Sequence, residues 1–255
     1  MEVCIFGGFP RSGTRQYADI LNGHALMSVK GECFPRVVKL LSRVFEEADD
    51  KHQKRWSSQK YDEWRVKSAL NAYAGLSKGS NAPYDFSGLK VCGFKSPRVE
   101  SIYDDLGGLF FKEKIKFFYC VRKVSENYLS ECSTFGISVE DYVSSTVSSI
   151  KKFFEVVNDE RFDCTVLSLD SFLASKNRAN YIQDNIFSKF SGVSTSLGEV
   201  EELIERTRNI NSTESSGKVR RLDLQGYERD YIFNSSELRA SCEVMKAHFD
   251  VDIFR

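Results

Sequence analysis

The sequence predicts an α/β protein: a parallel β-sheet flanked by helices, with a helical insertion near residues 49–88. Three observations carry this. Short apolar runs alternate with stretches whose apolar residues recur three and four apart, the pattern of strands joined by helical crossovers. A glycine-rich loop, "GGFPRSGTR", follows the first apolar run. Side chains able to do chemistry stand just after the apolar runs, where open parallel sheets place their ligands.

Residues 3–6 form the first strand and 14–21 the helix after the loop. "ALMSV" (25–29) is a second short strand, and 33–48 repeat their apolar residues at helical spacing. The polar, aromatic-containing stretch 49–78 continues as helix and forms the insertion. "LKVCGF" (89–94), "KIKFFYCV" (114–121) and "CTVLSL" (164–169) are the third, fourth and fifth strands. Residues 138–157 begin with Ser, carry acidic residues in the first turn and are amphipathic, so they form a helix. Helical segments follow near 170–190 and 198–208, then a polar stretch at 209–226 and a last helix at 236–248. Without repeats or a long linker, residues 1–255 read as one domain. The segments 49–88 and 209–230 lack strong periodicity and are the candidates for substrate-facing structure.

Composition sets bounds. Hydrophobic content of 41% with 28% charged residues is ordinary for a soluble globular protein. A net charge of zero gives no global field directed at nucleic acid or an anionic membrane, so neither is expected as a partner. No apolar run reaches the 18 residues of a membrane span. A first strand beginning at Glu2 leaves no room for a signal peptide, so the expected location is cytoplasmic. The seven cysteines form no C-x-x-C pair and no cluster with His at zinc spacing, so no metal is expected. Cys4, Cys92, Cys120 and Cys164 lie in strand-like runs, where a reduced thiol acts as a small hydrophobe. Oligomeric state is not encoded in any motif.

Gly8 to Gly13 has the G-x-x-x-x-G spacing of a phosphate loop, but Thr14-Arg15 stand where a nucleoside-triphosphate loop has Lys. A loop opening a helix still presents backbone N–H groups and a positive dipole end to an anion. Arg11 adds a guanidinium, and Ser12 and Thr14 add hydroxyls. A plain strand-to-helix turn would use Pro10 and Gly13 and leave Arg11, Ser12 and Thr14 superfluous. Past the other strands stand Gly31-Glu32, Lys95-Ser96 and Arg122. Together these strand ends describe an anion site containing one carboxylate.

"FPRSGT" resembles the 5′-phosphosulfate loop of sulfotransferases, which use 3′-phosphoadenosine 5′-phosphosulfate (PAPS) and release adenosine 3′,5′-bisphosphate (PAP). The resemblance implies the sulfotransferase fold, with its P-loop-like sheet, and donor contacts from Arg11, Ser12, Gly13, Thr14 and Arg15. That family binds the donor's 3′-phosphate through an Arg at a strand end and a Ser on the next helix. "FFYCVRKVSENYLSECS" supplies Arg122 and Ser130, eight positions apart. The pattern is most similar to tyrosylprotein sulfotransferases and related bacterial enzymes, whose Gly-Glu pair after the second strand provides the catalytic base. Here that pair is Gly31-Glu32, 21 positions beyond Arg11. The family's Lys in a Lys-x-Pro setting matches Lys95 in "FKSPR". Its later Ser and Lys match Ser212 and Lys218 in "STESSGK". The resemblance implies catalytic roles for Glu32, Lys95, Arg11 and Ser212, a donor contact from Lys218, and no metal. It extends from residue 3 to about 218 through five short motifs.

Two departures stand out. Thr134 occupies the place of the family's second Arg after the fourth strand, and Leu169-Asp170 that of its adenine-stacking aromatic. These departures and the lack of a membrane anchor point away from peptide tyrosine, toward a soluble relative acting on another hydroxyl. The acceptor class nevertheless spans small molecules and peptide tyrosine. A kinase with a degenerate loop would need Asp170 for magnesium, and an inactive nucleotide-binding module would have no use for Glu32 and Lys95. His24 is read as a helix-end residue, and His52 and His248 as solvent-facing. Trp56, Tyr61, Trp64 and Tyr73 either line an acceptor pocket or form the insertion's own core. Arg36 faces either the acceptor or solvent. Glu46-Glu47 and Asp49-Asp50 read as a solvated helix end.

Overall fold

The computed structural model describes residues 1–32, 35–52, 58–76, 84–110, 114–208 and 221–254. Five parallel strands form the sheet: β1 (Glu2–Gly8), β2 (Met27–Lys30), β3 (Val91–Lys95), β4 (Ile115–Val121) and β5 (Phe162–Ser168). Their order is β2-β3-β1-β4-β5. The chain winds from β1 to one edge, returns through β3, and then crosses to β4 on the other side. This puts the end of β1 at the reversal of direction, the place where such sheets bind ligands.

β1 is buried on both faces, which explains its unbroken apolar run. Val3 and Ile5 enter one core, packed with α2 (Pro35–His52), α3 (Ser58–Leu76), α5 (Val124–Phe135), α6 (Val139–Val157) and α11 (Ser236–Phe249). Cys4 and Phe6 point to the opposite core, with α1 (Thr14–Asn22), α8 (Arg178–Asn185) and α9 (Leu197–Arg208). Side chains alternating along a strand thus serve two hydrophobic layers. Ser138 caps α6 as its position suggests, its hydroxyl accepting the Asp141 N–H at 3.1 Å.

Two elements go beyond the sequence reading. α4 (Tyr103–Leu109), preceded by a 3₁₀ turn at Val99–Ile102, contains two glycines in seven residues, a composition that hides a helix. α10 (Gly226–Asn234) falls in a stretch without apolar period and starts from a reciprocal Gln225–Glu228 capping box. The helical region read near 170–190 divides into α7 (Leu169–Ala174), a short turn of helix capped by Ser168, and α8. In the insertion, α2 runs on through His52 and α3 is a separate helix. Tyr61 and Tyr73 are buried, Tyr73 stacks on Phe94 of β3 at 3.9 Å, and Trp64 packs on Phe45 at 6.1 Å. These three aromatics therefore serve as core; Trp56 lies outside the described residues. No described helix is long and apolar enough to cross a membrane.

Candidate active site

Backbone geometry shapes the loop after β1. Gly8 has φ 103°, and a Cβ there would lie 2.1 Å from the Cys120 carbonyl oxygen of β4, so only glycine fits. Gly13, at φ 91°, caps α1, and no side chain bonds the helix N-terminus. The first-turn N–H groups of α1 are therefore open to an anion. The Ser12 hydroxyl is fully buried and donates to the Phe9 carbonyl at 2.5 Å, so it shapes the loop. A contact from Ser12 to an anion would come through its backbone N–H. Thr14 is buried at the first turn. Arg15 points outward, 63% exposed and paired with Asp19.

Arg11 is the loop's exposed cation, and its own backbone is left-handed at φ 63°. Its Nε donates to Ser130 Oγ at 3.2 Å, bridging the loop to α5. Asn127, one turn earlier on α5, donates to the Pro10 carbonyl at 2.7 Å. Arg11 and Ser130 therefore meet directly. Arg122, at the end of β4, faces two carboxylates: Glu126 Oε2 at 3.3 Å and Asp170 Oδ1 at 3.8 Å. Asp170 also accepts the Lys123 N–H at 2.5 Å. Thr134 donates its hydroxyl to the Ser130 carbonyl.

On the other side of β1, Lys95 ends β3 and Glu32 follows β2. Lys95 Nζ stands 2.7 Å from Glu32 Oε1; the lysine side chain is 12% exposed and the glutamate 47%. β2 and β3 are paired neighbours, with Lys30 opposite Phe94, so residues just past their ends meet. Ser212 and Lys218 lie outside the described residues. Arg221, three positions beyond Lys218, is bound bidentately by Glu228, which also accepts the Tyr128 hydroxyl at 2.7 Å.

Besides Glu228, two buried acids escaped the sequence reading. Glu100 is fully buried; its Oε2 accepts the Gly8 N–H at 3.1 Å, and its Oε1 accepts the Ser149 hydroxyl. Burial raises its pKa to about 7, against the pull of those hydrogen bonds and Arg98. Glu131, beside Ser130, is paired with Arg98 at 3.4 Å and is likewise raised to about 7 by burial. In sequence, Glu100 follows the "KSPRV" turn and Glu131 sits within a polar helix. A charge amid the buried face of α5 was the only available signal.

His24 lies just past α1; its ring accepts the Leu26 N–H at 3.2 Å and packs near Phe187. Burial lowers its pKa. His248, exposed on α11, donates a ring N–H to the Val244 carbonyl at 3.1 Å. Asp104 pairs with Arg161 at 3.2 Å. Among the described residues, no three His, Cys, Asp or Glu side chains are grouped as metal ligands. Side chains of Arg36, Asp49, Asp50 and His52 lie outside the description.

No protein-family model and no curated protein matches the sequence. The structure is similar to the sulfotransferase domain of the Synechococcus PCC 7002 olefin synthase, with a TM-score of 0.51 at 13% identity, over 96% of this chain and 94% of that one. It is also similar to sulfotransferase STF9 from Mycobacterium avium, with a TM-score of 0.49 at 12% identity, over 100% of this chain and 78% of that one. The chain has the sulfotransferase fold: a five-stranded parallel sheet with helices on both faces. The resemblance read from the motifs is thereby borne out in the architecture.

Proposed function

We propose that this chain is a sulfotransferase that moves a sulfuryl group from PAPS to an acceptor hydroxyl. The observation carrying this reading is the Lys95–Glu32 ion pair beside an anion loop that has no lysine of its own. The donor set suits a nucleotide with two anionic ends. The open N-terminus of α1 and Arg11 offer hydrogen bonds and charge to the 5′ end, and Arg122 with Ser130 to the 3′-phosphate.

Bound there, the donor supplies an activated sulfuryl group and a phosphate leaving group. Glu32 takes the proton of the acceptor hydroxyl as its oxygen becomes nucleophilic. Lys95, already drawn toward this spot by Glu32, balances negative charge that develops during transfer. Arg11 and the loop N–H groups hold the anion in line with the acceptor, so catalysis is chiefly positioning and electrostatics. Arg122 must exchange at least part of its contact with Glu126 and Asp170 for the 3′-phosphate. Ser212 and Lys218 join this set on the motif alone. The kinase alternative is disfavoured because Asp170, its magnesium ligand, is committed to Arg122 and the Lys123 N–H.

The test is a PAPS assay in magnesium-free buffer against phenols, alcohols, sugars and tyrosyl peptides, read by transfer of radiolabelled sulfate or by product mass. Transfer to a hydroxyl acceptor supports the reading. Binding of PAP without product formation on any acceptor leaves a nucleotide-binding module instead.

A further inference from the structure

Among the described residues, three outside glycine adopt left-handed backbone: Arg11 at φ 63°, Arg98 at φ 60° and Asp250 at φ 54°. Asp250 ends α11, where that conformation is common. The other two are both arginines, and both touch the loop after β1. Arg11 belongs to it, and the Arg98 N–H donates to the Gly8 carbonyl at 2.8 Å. Such conformations are costly for arginine and persist only where surrounding contacts impose them.

Those contacts converge on two adjacent residues of α5, Ser130 and Glu131. Arg98 Nη2 stands 3.4 Å from Glu131 Oε2 and donates to Ser145 Oγ at 2.9 Å. Arg11 bonds Ser130, the residue preceding Glu131, and its charge reaches the Glu131 carboxyl. The Glu131 side chain is 3% exposed, and its Oε1 has no hydrogen-bond partner among the described residues. A half-satisfied carboxyl buried under two arginines has no role in a plain turn.

We propose that Glu131 is a positioning residue, whose buried carboxyl anchors Arg98 beneath the anion loop, next to the Ser130 that holds Arg11, and takes up a proton when an anion binds. The inference rests on the donor reading above. Every charged or titratable group known to face Glu131 fits it: Arg98 from the turn after β3, Arg11 from the loop, and Tyr142 from α6, whose phenol is pushed up by burial and then by the Glu131 carboxylate. An anion on Arg11 draws off the positive field that keeps Glu131 ionised, so its proton affinity rises. Burial already holds that carboxyl near neutrality, at about 7, so uptake is measurable just above pH 7. Glu100, behind Gly8, is the other acid in this range and serves as the control.

The experiment is calorimetry of PAP and of inorganic pyrophosphate at pH 7.5, in buffers of different ionisation enthalpy. It compares wild type with Glu131→Gln, Glu131→Ala and Glu100→Gln. Beyond the protons exchanged by the ligand's own phosphates, wild type is expected to take up a substantial fraction of a proton, and Glu131→Gln to lose that part of the uptake. Glu131→Ala, which leaves Arg98 with Ser145 but without its carboxylate, should weaken binding about tenfold or more, with Gln restoring most of it. A merely structural role would lower melting temperature in both Glu131 variants and leave proton uptake unchanged. Undiminished uptake in Glu131→Gln, or uptake lost only in Glu100→Gln, overturns the proposal. Anion binding without uptake in the wild type overturns it while leaving the donor reading intact. Failure of both anions to bind overturns both.

Discussion

Lys95 Nζ and Glu32 Oε1 lie 2.7 Å apart across the ends of two neighbouring parallel strands, although 63 positions separate them in sequence. The pairing leaves the glutamate 47% exposed toward the site while the lysine is nearly covered. In the proposed reaction the more exposed Glu32 is the proton acceptor and the covered Lys95 the cation behind it. An ion pair so exposed adds little to stability, so changes here should be read in turnover.

Glu32→Gln is expected to lower transfer to aliphatic alcohols by about 10²–10⁴-fold, with fold and PAP affinity retained. Gln keeps the shape and a hydrogen bond to Lys95 but cannot take the proton. Acidic phenols, ionised before they bind, should lose much less. Steady-state rates across acceptors of graded acidity check this; equal losses for all would assign Glu32 a structural role.

Lys95→Ala should reduce kcat by roughly 10²–10³-fold and change PAP binding only slightly, because the cation acts on charge that develops during transfer. Single-turnover kinetics beside calorimetry separate the two quantities. A large affinity loss at constant turnover would make Lys95 a ground-state ligand.

Arg122→Ala should weaken PAP by about tenfold to a hundredfold, yet leave adenosine 5′-phosphosulfate nearly unaffected, since that donor lacks the 3′-phosphate. Because Asp170 competes for the guanidinium, Asp170→Asn should tighten PAP while still accepting the Lys123 N–H. Equal effects of Arg122→Ala on both nucleotides would remove Arg122 from the 3′-phosphate.

Glu100 makes stability fall as pH rises. Its folded pKa of about 7 exceeds the unfolded value of about 4.3, so between those values the folded state holds the extra proton. Urea denaturation should show the Glu100 contribution declining across about pH 4.3 to 7, by on the order of 3–4 kcal/mol, then levelling. Glu100→Gln keeps an acceptor for the Gly8 N–H and should remove its share of this slope, leaving the share of Glu131.

Glu228 acts in the opposite sense. Hydrogen bonds from Arg221 hold its pKa at about 2, so it contributes stability above the unfolded carboxyl range that disappears as pH falls from about 4.3 toward 2. Glu228→Gln should cost on the order of 2 kcal/mol at pH 7 and almost nothing near pH 2. Denaturation midpoints at the two pH values check the difference.

Much of the architecture was legible because it is local. Buried strands show as apolar runs, α6 shows its cap and stripe, and Gly8 and Gly13 mark a loop whose backbone only glycine adopts easily. α4 and α10 were not legible, since packing and a capping box override weak propensity there. The strand-end residues were also legible, as a list without partners.

The sequence by itself determined the parallel α/β class, the anion loop and the residues at its rim, because each depends on neighbours along the chain. Only the tertiary structure decided who meets whom. It joined Glu32 to Lys95 and Arg11 to Ser130, 119 positions away. It turned Arg122 toward Asp170, and it buried Glu100 and Glu131 behind the loop. Contacts and desolvation are properties of three-dimensional neighbours, and a carboxylate's chemistry is set by the water and charge around it, which its place in the chain does not encode.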